Sequence, residues 1–291
     1  MMLKLKKLGI LFASAALIVA FTSCSNSVKK KETKSTTKEI NIFYPNWAEG
    51  ISFTYLAKAA LENHGYEVEL TNLEPGLIYG ELSKVNSKGD VFLDAWLPYT
   101  HKDYWDSYGD KLVKLGEAFS DGTTGLVVPS YVTINSIEEL NAQKDKFGKE
   151  IIGIGSGAGI HANTIKAIES YHLDIEQVTS SGPAMIASLD KATKREEWIV
   201  ITGWKPHYMW ANFDLKYLED PKGIYPQDAC TIISRKGFEE DQPEAAGFFK
   251  NFNLEESQLY ELMAAITADG EQTGAKKWYE ANKELVDSWF N

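Results

Sequence analysis

Apolar residues in the first half of the chain fall alternately at the spacing of β-strands and at that of α-helices. Residues 40–44 and 66–70 carry apolar side chains at alternate positions, which predicts two strands, and the apolar positions of 53–61 recur at helical spacing between them. A short helix is predicted over 75–85, and the run 90–95 predicts a third, buried strand. This order of strands and helices is typical of a parallel sheet.

The same order returns in the second half of the chain. The predicted elements are a strand at 150–154, a glycine loop at 155–159, a helix at 160–172, a strand at 178–180, a helix at 183–195 and a strand at 197–202. Two units of similar order predict an α/β fold of two lobes that face a cleft, each lobe a mostly parallel sheet flanked by helices.

Two apolar, strand-like segments, 125–129 and 230–234, are interpreted as the crossings between the lobes. We therefore expect residues 39–127 and 231–291 to form the first lobe and residues 128–230 to form the second. The helical patterns at the end of the chain are expected to return and cover the first lobe.

The start of the chain has the pattern of a bacterial export signal. Lysines precede an apolar stretch over 8–21, which is too short for a comfortable membrane span. Residues 1–23 are predicted to be the signal peptide, and Cys24, directly after small residues, to be lipidated as in a lipoprotein. Residues 24–38 then form a lipidated cysteine and a polar tether. The alternative is ordinary cleavage that leaves an unused thiol.

Composition excludes several functions. The formal net charge is −11, with 41 acidic and 30 basic residues, so the chain is repelled by phosphate backbones and nucleic-acid binding is not expected. The second cysteine, Cys230, has no intramolecular partner if Cys24 is lipidated. No pair of the five histidines has the spacing of a helical metal site, and we predict neither metal nor cofactor. No nucleophile motif for hydrolysis is present.

Three tryptophans stand where predicted strands end: Trp47, Trp96 and Trp204. Ligands of open parallel sheets gather at the carboxyl ends of the strands. Because the faces of aromatic rings attract cations, three converging indoles predict an ammonium cage. The alternative is that these side chains are packing residues.

The glycine loop at 155–159 lacks the pattern of a dinucleotide site, and no acidic residue ends the next strand. A glycine-rich turn that opens a helix still exposes backbone N–H groups, so Gly159 and Ile160 are predicted donors to a carboxylate. His101, one turn after Trp96, is interpreted as a second donor or as a solvated loop residue. His207, close after Trp204, is either a site residue or a packing residue.

Four segments together resemble the glycine betaine binding proteins of osmoprotectant ABC importers, over nearly all of residues 39–291. They are residues 94–101 (DAWLPYTH), 152–160 (IGIGSGAGI), 201–207 (ITGWKPH) and 216–221 (KYLEDP). The resemblance implies a type II periplasmic-binding-protein fold with the ligand in its cleft. It also implies that Trp47, Trp96 and Trp204 form a prism around trimethylammonium.

The same resemblance implies that the amides of Gly159 and Ile160, with the side chain of His101, hold the ligand carboxylate. Some relatives have their halves in reverse order, and some have Asp-Pro at the positions of Gly155-Ser156. His161 stands where relatives have an apolar residue, so it is a candidate for altering carboxylate binding or ligand choice.

The expected function is that of an extracytoplasmic binding protein, anchored through Cys24 to the outer face of a membrane. It delivers glycine betaine to an ABC permease and its ATPase, and it has no enzymatic activity. Alternative ligands are carnitine, proline betaine, dimethylsulfoniopropionate and choline, and an alternative role is a tethered betaine sensor. An enzyme acting on a betaine is disfavoured, because the sequence carries no nucleophile or metal set.

Overall fold

The computed structural model describes residues 38–291. The predicted signal peptide, Cys24 and all of the predicted tether except Lys38 lie outside the described residues. Within the described part, no helix is long and apolar enough to cross a membrane.

Among residues 38–291, nine strands form one mixed sheet. They are β1 (Glu39–Tyr44), β2 (Glu67–Asn72), β3 (Val91–Leu97), β4 (Leu112–Pro129), β5 (Glu150–Ile152), β6 (Glu176–Val178), β7 (Ile201–Lys205), β8 (Leu215–Tyr217) and β9 (Asp228–Arg235). The strand order is β2-β1-β3-β9-β4-β7-β5-β6, and β8 pairs with β4.

Twelve α-helices flank the sheet in the described part of the chain. They are α1 (Ala48–Asn63), α2 (Pro75–Leu82), α3 (Lys102–Tyr108), α4 (Leu140–Gln143), α5 (Gly159–Ser170), α6 (Gly182–Lys194), α7 (Met209–Asn212), α8 (Phe238–Asp241), α9 (Pro243–Asn251), α10 (Glu256–Asp269), α11 (Glu271–Ala281) and α12 (Lys283–Ser288). Short 3-10 turns occur at Gly109–Lys111, Ile137–Glu139 and Lys144–Phe147.

Each half of the sheet contains the parallel unit that the sequence predicts. In the first half, β1 lies between β2 and β3 and is parallel to both. In the second half, β5 lies between β6 and β7 and is parallel to both. Short, apolar strands alternating with helices produce this pairing because a parallel connection needs a crossover segment.

The two halves share strand β4, which is 18 residues long. Its first part pairs antiparallel with β9, and its last part pairs antiparallel with β7 and β8. The sequence indicated only the end of this strand, at 125–129, because the earlier residues of β4 lack a clear apolar alternation. The predicted boundary between residues 127 and 128 falls inside β4, and the one between 230 and 231 falls inside β9.

The helices of the carboxyl-terminal part pack on the first half of the sheet. Helices α10 and α11 contact α1, and α9 contacts β4. Aromatic rings join these layers: Phe252 meets Phe53 of α1 edge to face, and Phe248 packs on both Phe252 and Trp289. The second half has its own core, which includes Leu126, Val128, Ile151, Ala167 and Val200. Each half therefore buries apolar side chains around its own strands.

Candidate functional site

A small cavity lies between the two halves of the sheet, with an empty volume of about 260 Å³. Its lining residues are Trp47, Glu49, Trp96, Thr100, His101, Thr124, Ile154, Ala158, Gly159, Ile160 and Trp204. The structure thus brings together the three tryptophans, His101 and the start of α5, while their roles as ligand contacts remain predictions.

The three tryptophans lie at the ends of strands or a few residues after them. Trp96 stands near the end of β3, in which every residue is buried, and Trp204 lies in β7. Both are 3% exposed. Trp47 directly precedes α1 and is half-buried. Since all three line one cavity, indole surface bounds it from three separate elements.

Paired strands connect two of these tryptophans. Trp96 pairs with Cys230 of β9, and Cys230 pairs with Phe119 of β4. Further along β4, Thr124 pairs with Trp204 and itself lines the cavity. Strand β4 therefore carries the connection from one tryptophan to the other.

His101 presents an N–H group to the cavity. The ring is fully buried, and its Nδ1 accepts a hydrogen bond of 3.1 Å from the backbone N–H of Trp96. Because Nδ1 is an acceptor, the proton of the neutral ring is on Nε2, which has no partner. Burial lowers the pKa of His101 to about 3, so the ring stays neutral. His101 is thus a free, neutral donor in the wall of the cavity.

The start of α5 supplies further donors. The first N–H groups of a helix have no intrahelical acceptor, and here they belong to Gly159 and Ile160, after an Ala158 cap without a side-chain hydrogen bond. The helix dipole adds a partial positive charge. Only glycine fits at position 159, since an added Cβ would lie 2.1 Å from the backbone oxygen of Thr100. The geometry is suited to an anion.

Glu49 lies in the wall of the cavity, and the sequence analysis did not predict it. It lies in the first turn of α1, is fully buried and lines the cavity. Its Oε2 accepts a hydrogen bond of 2.8 Å from Nε1 of Trp204, whereas Oε1 has no partner. Desolvation raises the pKa of Glu49 to about 8, and the bond from Trp204 offsets part of this effect.

The place of Glu49 in the sequence did not indicate that it is buried, because an acidic residue in the first turn of a helix is common on exposed surfaces, where it complements the helix dipole.

Four further lining residues were not predicted from the sequence: Thr100, Thr124, Ile154 and Ala158. Both threonine hydroxyls are buried without a hydrogen-bond partner. Buried polar atoms of this kind are rare and need an explanation, and a ligand would provide one.

The two further histidine candidates lie outside the cavity lining. His207 packs edge to face on Trp204 at 4.7 Å between ring centres, and its Nδ1 accepts a hydrogen bond from the N–H of Met209. This geometry fits the packing role that the sequence left open. His161 is half-buried with a buried Nδ1 that has no partner, and its backbone N–H donates to Ala158.

Contacts across the cleft join the halves around the cavity. Besides the bond between Trp204 and Glu49, the hydroxyl of Tyr104 donates a 3.0 Å hydrogen bond to the backbone oxygen of Gly157. Among residues 38–291, no group of His, Cys, Asp and Glu side chains is arranged to hold a metal ion.

A mixed sheet in two halves with a small cavity between them, together with the solved structures of the same fold, defines the class: this is a type II periplasmic binding protein. Residues 38–281 match the substrate binding domain of ABC-type glycine betaine transport systems, and the chain belongs to this family. The family consists of transport binding domains and not of enzymes.

Two solved structures have the same fold. The lactococcal OpuAC, in its closed conformation with glycine betaine, is 35% identical with a TM-score of 0.82, covering 87% of this chain and 99% of that one. The glycine/betaine/L-proline-binding protein ProX from Borrelia burgdorferi is 34% identical with a TM-score of 0.83, covering 86% and 96%.

A curated relative is the glycine betaine/carnitine transport binding protein GbuC of Listeria monocytogenes serotype 1/2a (strain 10403S). It is 41% identical over 159 residues, which make up 51% of this chain and 52% of that protein. The chain thus spans about half the length of the curated relative that it matches.

Proposed function

We propose that the protein binds glycine betaine in this cavity and delivers it to the permease of an ABC importer. The observation that carries the proposal is the pairing of two opposite features in one small cavity. Three indoles line it, and so do His101, whose Nε2 has no partner, and the first residues of α5, whose N–H groups have no intrahelical acceptor. A zwitterion with a methylated cation at one end and a carboxylate at the other matches both.

The trimethylammonium group would lie among Trp47, Trp96 and Trp204. It offers no hydrogen-bond donor, so the attraction comes from the ring faces and from dispersion. At the other end, Nε2–H of His101 and the amides of Gly159 and Ile160 would hold the carboxylate. These donors are fixed by the fold before a ligand binds, which lowers the entropic cost of binding.

The expected affinity follows from the size of the ligand. With about 1 kcal/mol for each of its eight non-hydrogen atoms, glycine betaine would bind with a Kd of roughly 1 µM. Choline lacks the carboxylate and would leave the three N–H donors unpaired, so it is expected to bind more weakly.

Ligand capture would proceed by closure of two lobes, residues 39–127 with 231–291 and residues 128–230. Strands β4 and β9 connect them and would bend as the hinge. In the closed form, the bonds from Trp204 to Glu49 and from Tyr104 to Gly157 span the cleft. This form would be presented to the permease, whose ATPase drives uptake.

We further propose that Cys24 is lipidated after removal of residues 1–23, and that residues 25–38 tether the protein to the outer face of a membrane. The support is the pattern of lysines, apolar residues and small residues before the cysteine. Two acyl chains would make the anchor stable.

Titration of the purified protein tests the ligand. Tryptophan fluorescence and calorimetry should give a Kd near 1 µM for glycine betaine and much weaker binding of choline. Carnitine is the second candidate, since the Listeria relative is described as a glycine betaine/carnitine binding protein. If neither betaine, carnitine, proline betaine, dimethylsulfoniopropionate nor choline binds, the tryptophans are packing residues and the proposal is wrong.

A further inference from the structure

Two carboxyl groups are buried together beside the cavity. Glu49 in the first turn of α1 is fully buried, and Asp94 of β3 is 1% exposed. Asp94 lies directly against α1, because a Cβ added to Gly50 would be 2.8 Å from its Oδ2. Glu49 lines the cavity, and Asp94 is not among the lining residues.

This pair lacks the partners that usually stabilise buried charges. Glu49 receives one hydrogen bond, from Trp204, and neither oxygen of Asp94 accepts a bond of ordinary geometry. Among the ion pairs of residues 38–291, none joins a lysine or arginine to either carboxyl. Isolated charges are costly to bury, and two adjacent carboxylates repel each other.

Burial and the mutual repulsion of the two carboxylates both favour the protonated form of Glu49 and Asp94. Burial first, and the charge of Glu49 second, raise the pKa of Asp94 well above its usual range, while the polar hydrogens of Cys230 and Trp96 offset part of this rise. With Glu49 raised to about 8, the pair holds protons at neutral pH in the ligand-free protein.

The other titratable groups around the pair supply no positive charge. Burial keeps the His101 ring neutral by lowering its pKa and keeps the Cys230 thiol and the Tyr79 hydroxyl protonated by raising theirs. Asp228 on β9 is a further acid, and its two oxygens accept hydrogen bonds from the backbone N–H groups of Tyr99 and Thr100. A cation that binds in the cavity would therefore be the nearest positive charge.

Resting on the function proposed above, we propose that binding of a quaternary ammonium group releases a proton from the Glu49–Asp94 pair. The O–H bond of the Glu49 carboxyl breaks, its proton passes to solvent, and the electron pair stays on the carboxylate that faces the cation. Asp94 keeps its proton, because it is not among the residues that line the cavity. Glu49 would thus be neutral in the empty protein and charged in the complex.

Ionisation of Glu49 would also act on closure of the cleft. The bond from Nε1 of Trp204 to Oε2 of Glu49 joins β7 of the second half to α1 of the first half. A hydrogen bond to a carboxylate is roughly twice as strong as one to a neutral acid. The cation would therefore strengthen a contact that spans the cleft, so that Glu49 is a positioning residue for the closed form.

The sign of the pH dependence follows from the proton that is lost. Since the complex contains the ionised form, raising the pH favours binding as long as Glu49 is protonated in the free protein. Affinity for glycine betaine should rise by up to about tenfold per pH unit between pH 6 and pH 8 and become constant above about pH 9.

Calorimetry of the full chain with glycine betaine tests the proposal. A proton released on binding is taken up by the buffer, so the binding heats measured in phosphate and in Tris differ by the number of released protons multiplied by the difference in the buffers' ionisation enthalpies. At pH 7 this number should be close to one. At pH 9 it should be close to zero. In the Glu49→Gln variant the release should disappear and the Kd should no longer depend on pH. The Glu261→Gln variant changes an exposed glutamate of α10, outside the cavity lining, and it should behave as the wild type.

A second variant tests which member of the pair loses the proton. Asp94→Asn replaces a carboxyl that stays protonated with a neutral amide of similar shape, so proton release at pH 7 should persist, whereas its disappearance would assign the released proton to Asp94 and not to Glu49. Near-ultraviolet circular dichroism checks that each variant is folded. Betaine binding with no proton release and a constant Kd from pH 6 to pH 9 would overturn the proposal, whereas no betaine binding in any buffer would overturn the proposed function instead.

Discussion

The indole Nε1 of Trp204 donates a 2.8 Å hydrogen bond to Oε2 of Glu49, and both residues are buried in the wall of one cavity. The bond joins strand β7 in the second half of the sheet to the first turn of α1 in the first half. One tryptophan therefore contributes an aromatic face to the cavity and a hydrogen bond across the cleft.

The two contributions of Trp204 can be separated by substitution. Trp204→Ala removes both and should weaken glycine betaine binding by more than tenfold, about 1.4 kcal/mol or more. Trp204→Phe keeps an aromatic face and removes the N–H group, so its loss should be smaller. The control Trp198→Phe changes a tryptophan that packs on Phe147, outside the cavity lining, and should bind normally. Unchanged binding by Trp204→Ala would remove this residue from the cage.

Gly159→Ala should impair closure. The added Cβ would lie 2.1 Å from the backbone oxygen of Thr100, so the two halves would have to move apart or α5 would have to shift. We expect at least a tenfold increase in Kd, measured by fluorescence titration. Gly247→Ala in α9, where a Cβ meets no atom within 4 Å, is the matched control and should leave binding unchanged. Equal affinities for the two variants would argue against a close approach at Thr100.

His101→Phe should discriminate between ligands with and without a carboxylate. The substitution retains a ring of similar shape and removes the Nε2–H donor. Glycine betaine should lose roughly tenfold or more in affinity, as expected for a lost hydrogen bond to a charged group. Choline has no carboxylate and should lose less. A parallel loss for both ligands would indicate a packing role for His101, and circular dichroism checks the fold.

The buried His207 should make the protein sensitive to acid. Burial lowers its pKa from 6.5 to about 3, so below pH 6.5 the unfolded chain takes up a proton that the folded protein does not bind. The free energy of unfolding is therefore unaffected by His207 above pH 6.5 and decreases as the pH falls towards 3. The slope is about 1.4 kcal/mol per pH unit for one proton. His207→Phe keeps the packing on Trp204 and removes this proton. The free energy of unfolding, measured with urea from pH 7 to pH 4, should fall less steeply in the variant; parallel curves would contradict this.

Cys24→Ser should abolish membrane attachment, because the hydroxyl cannot form the thioether of a lipoprotein anchor. Membrane fractionation and labelling with a fatty acid should show the wild type in the membrane fraction and the variant outside it. Ligand binding should be unchanged. A variant that remains membrane-bound and labelled would show that the anchor lies elsewhere.

Much of the fold could be predicted because local patterns and pairing agree. The alternating apolar residues of 40–44 and 66–70 predicted strands where the structure has β1 and β2, and the helical spacing of apolar residues between them predicted α1. The prediction failed for β4, where only the last residues have a continuous apolar pattern. Its earlier part has register shifts against β9 between Lys114 and Gly122, and such irregularity removes the period on which sequence analysis depends.

The tryptophans that line the cavity could be singled out from the sequence, and the glutamate that lines it could not. Trp96 and Trp204 stand at the ends of strands, and strand ends can be recognised locally. Glu49 is buried only because α1, β3 and β7 meet around it, which is a tertiary property. In a chain with 41 acidic residues, composition cannot distinguish one buried glutamate from many solvated ones.

Strand β4 also limits which insertions the protein can tolerate. Trp96 is connected through Cys230 to Phe119, and Thr124 is connected to Trp204, so the residues between Phe119 and Thr124 set the spacing of two walls of the cavity. One added residue there would turn Thr124 to the opposite face of the sheet and shift Trp204 along its partner. The relative position of the two indoles along the sheet therefore depends on the number of residues between Phe119 and Thr124, so an insertion or deletion in this part of β4 would alter the shape of the cavity.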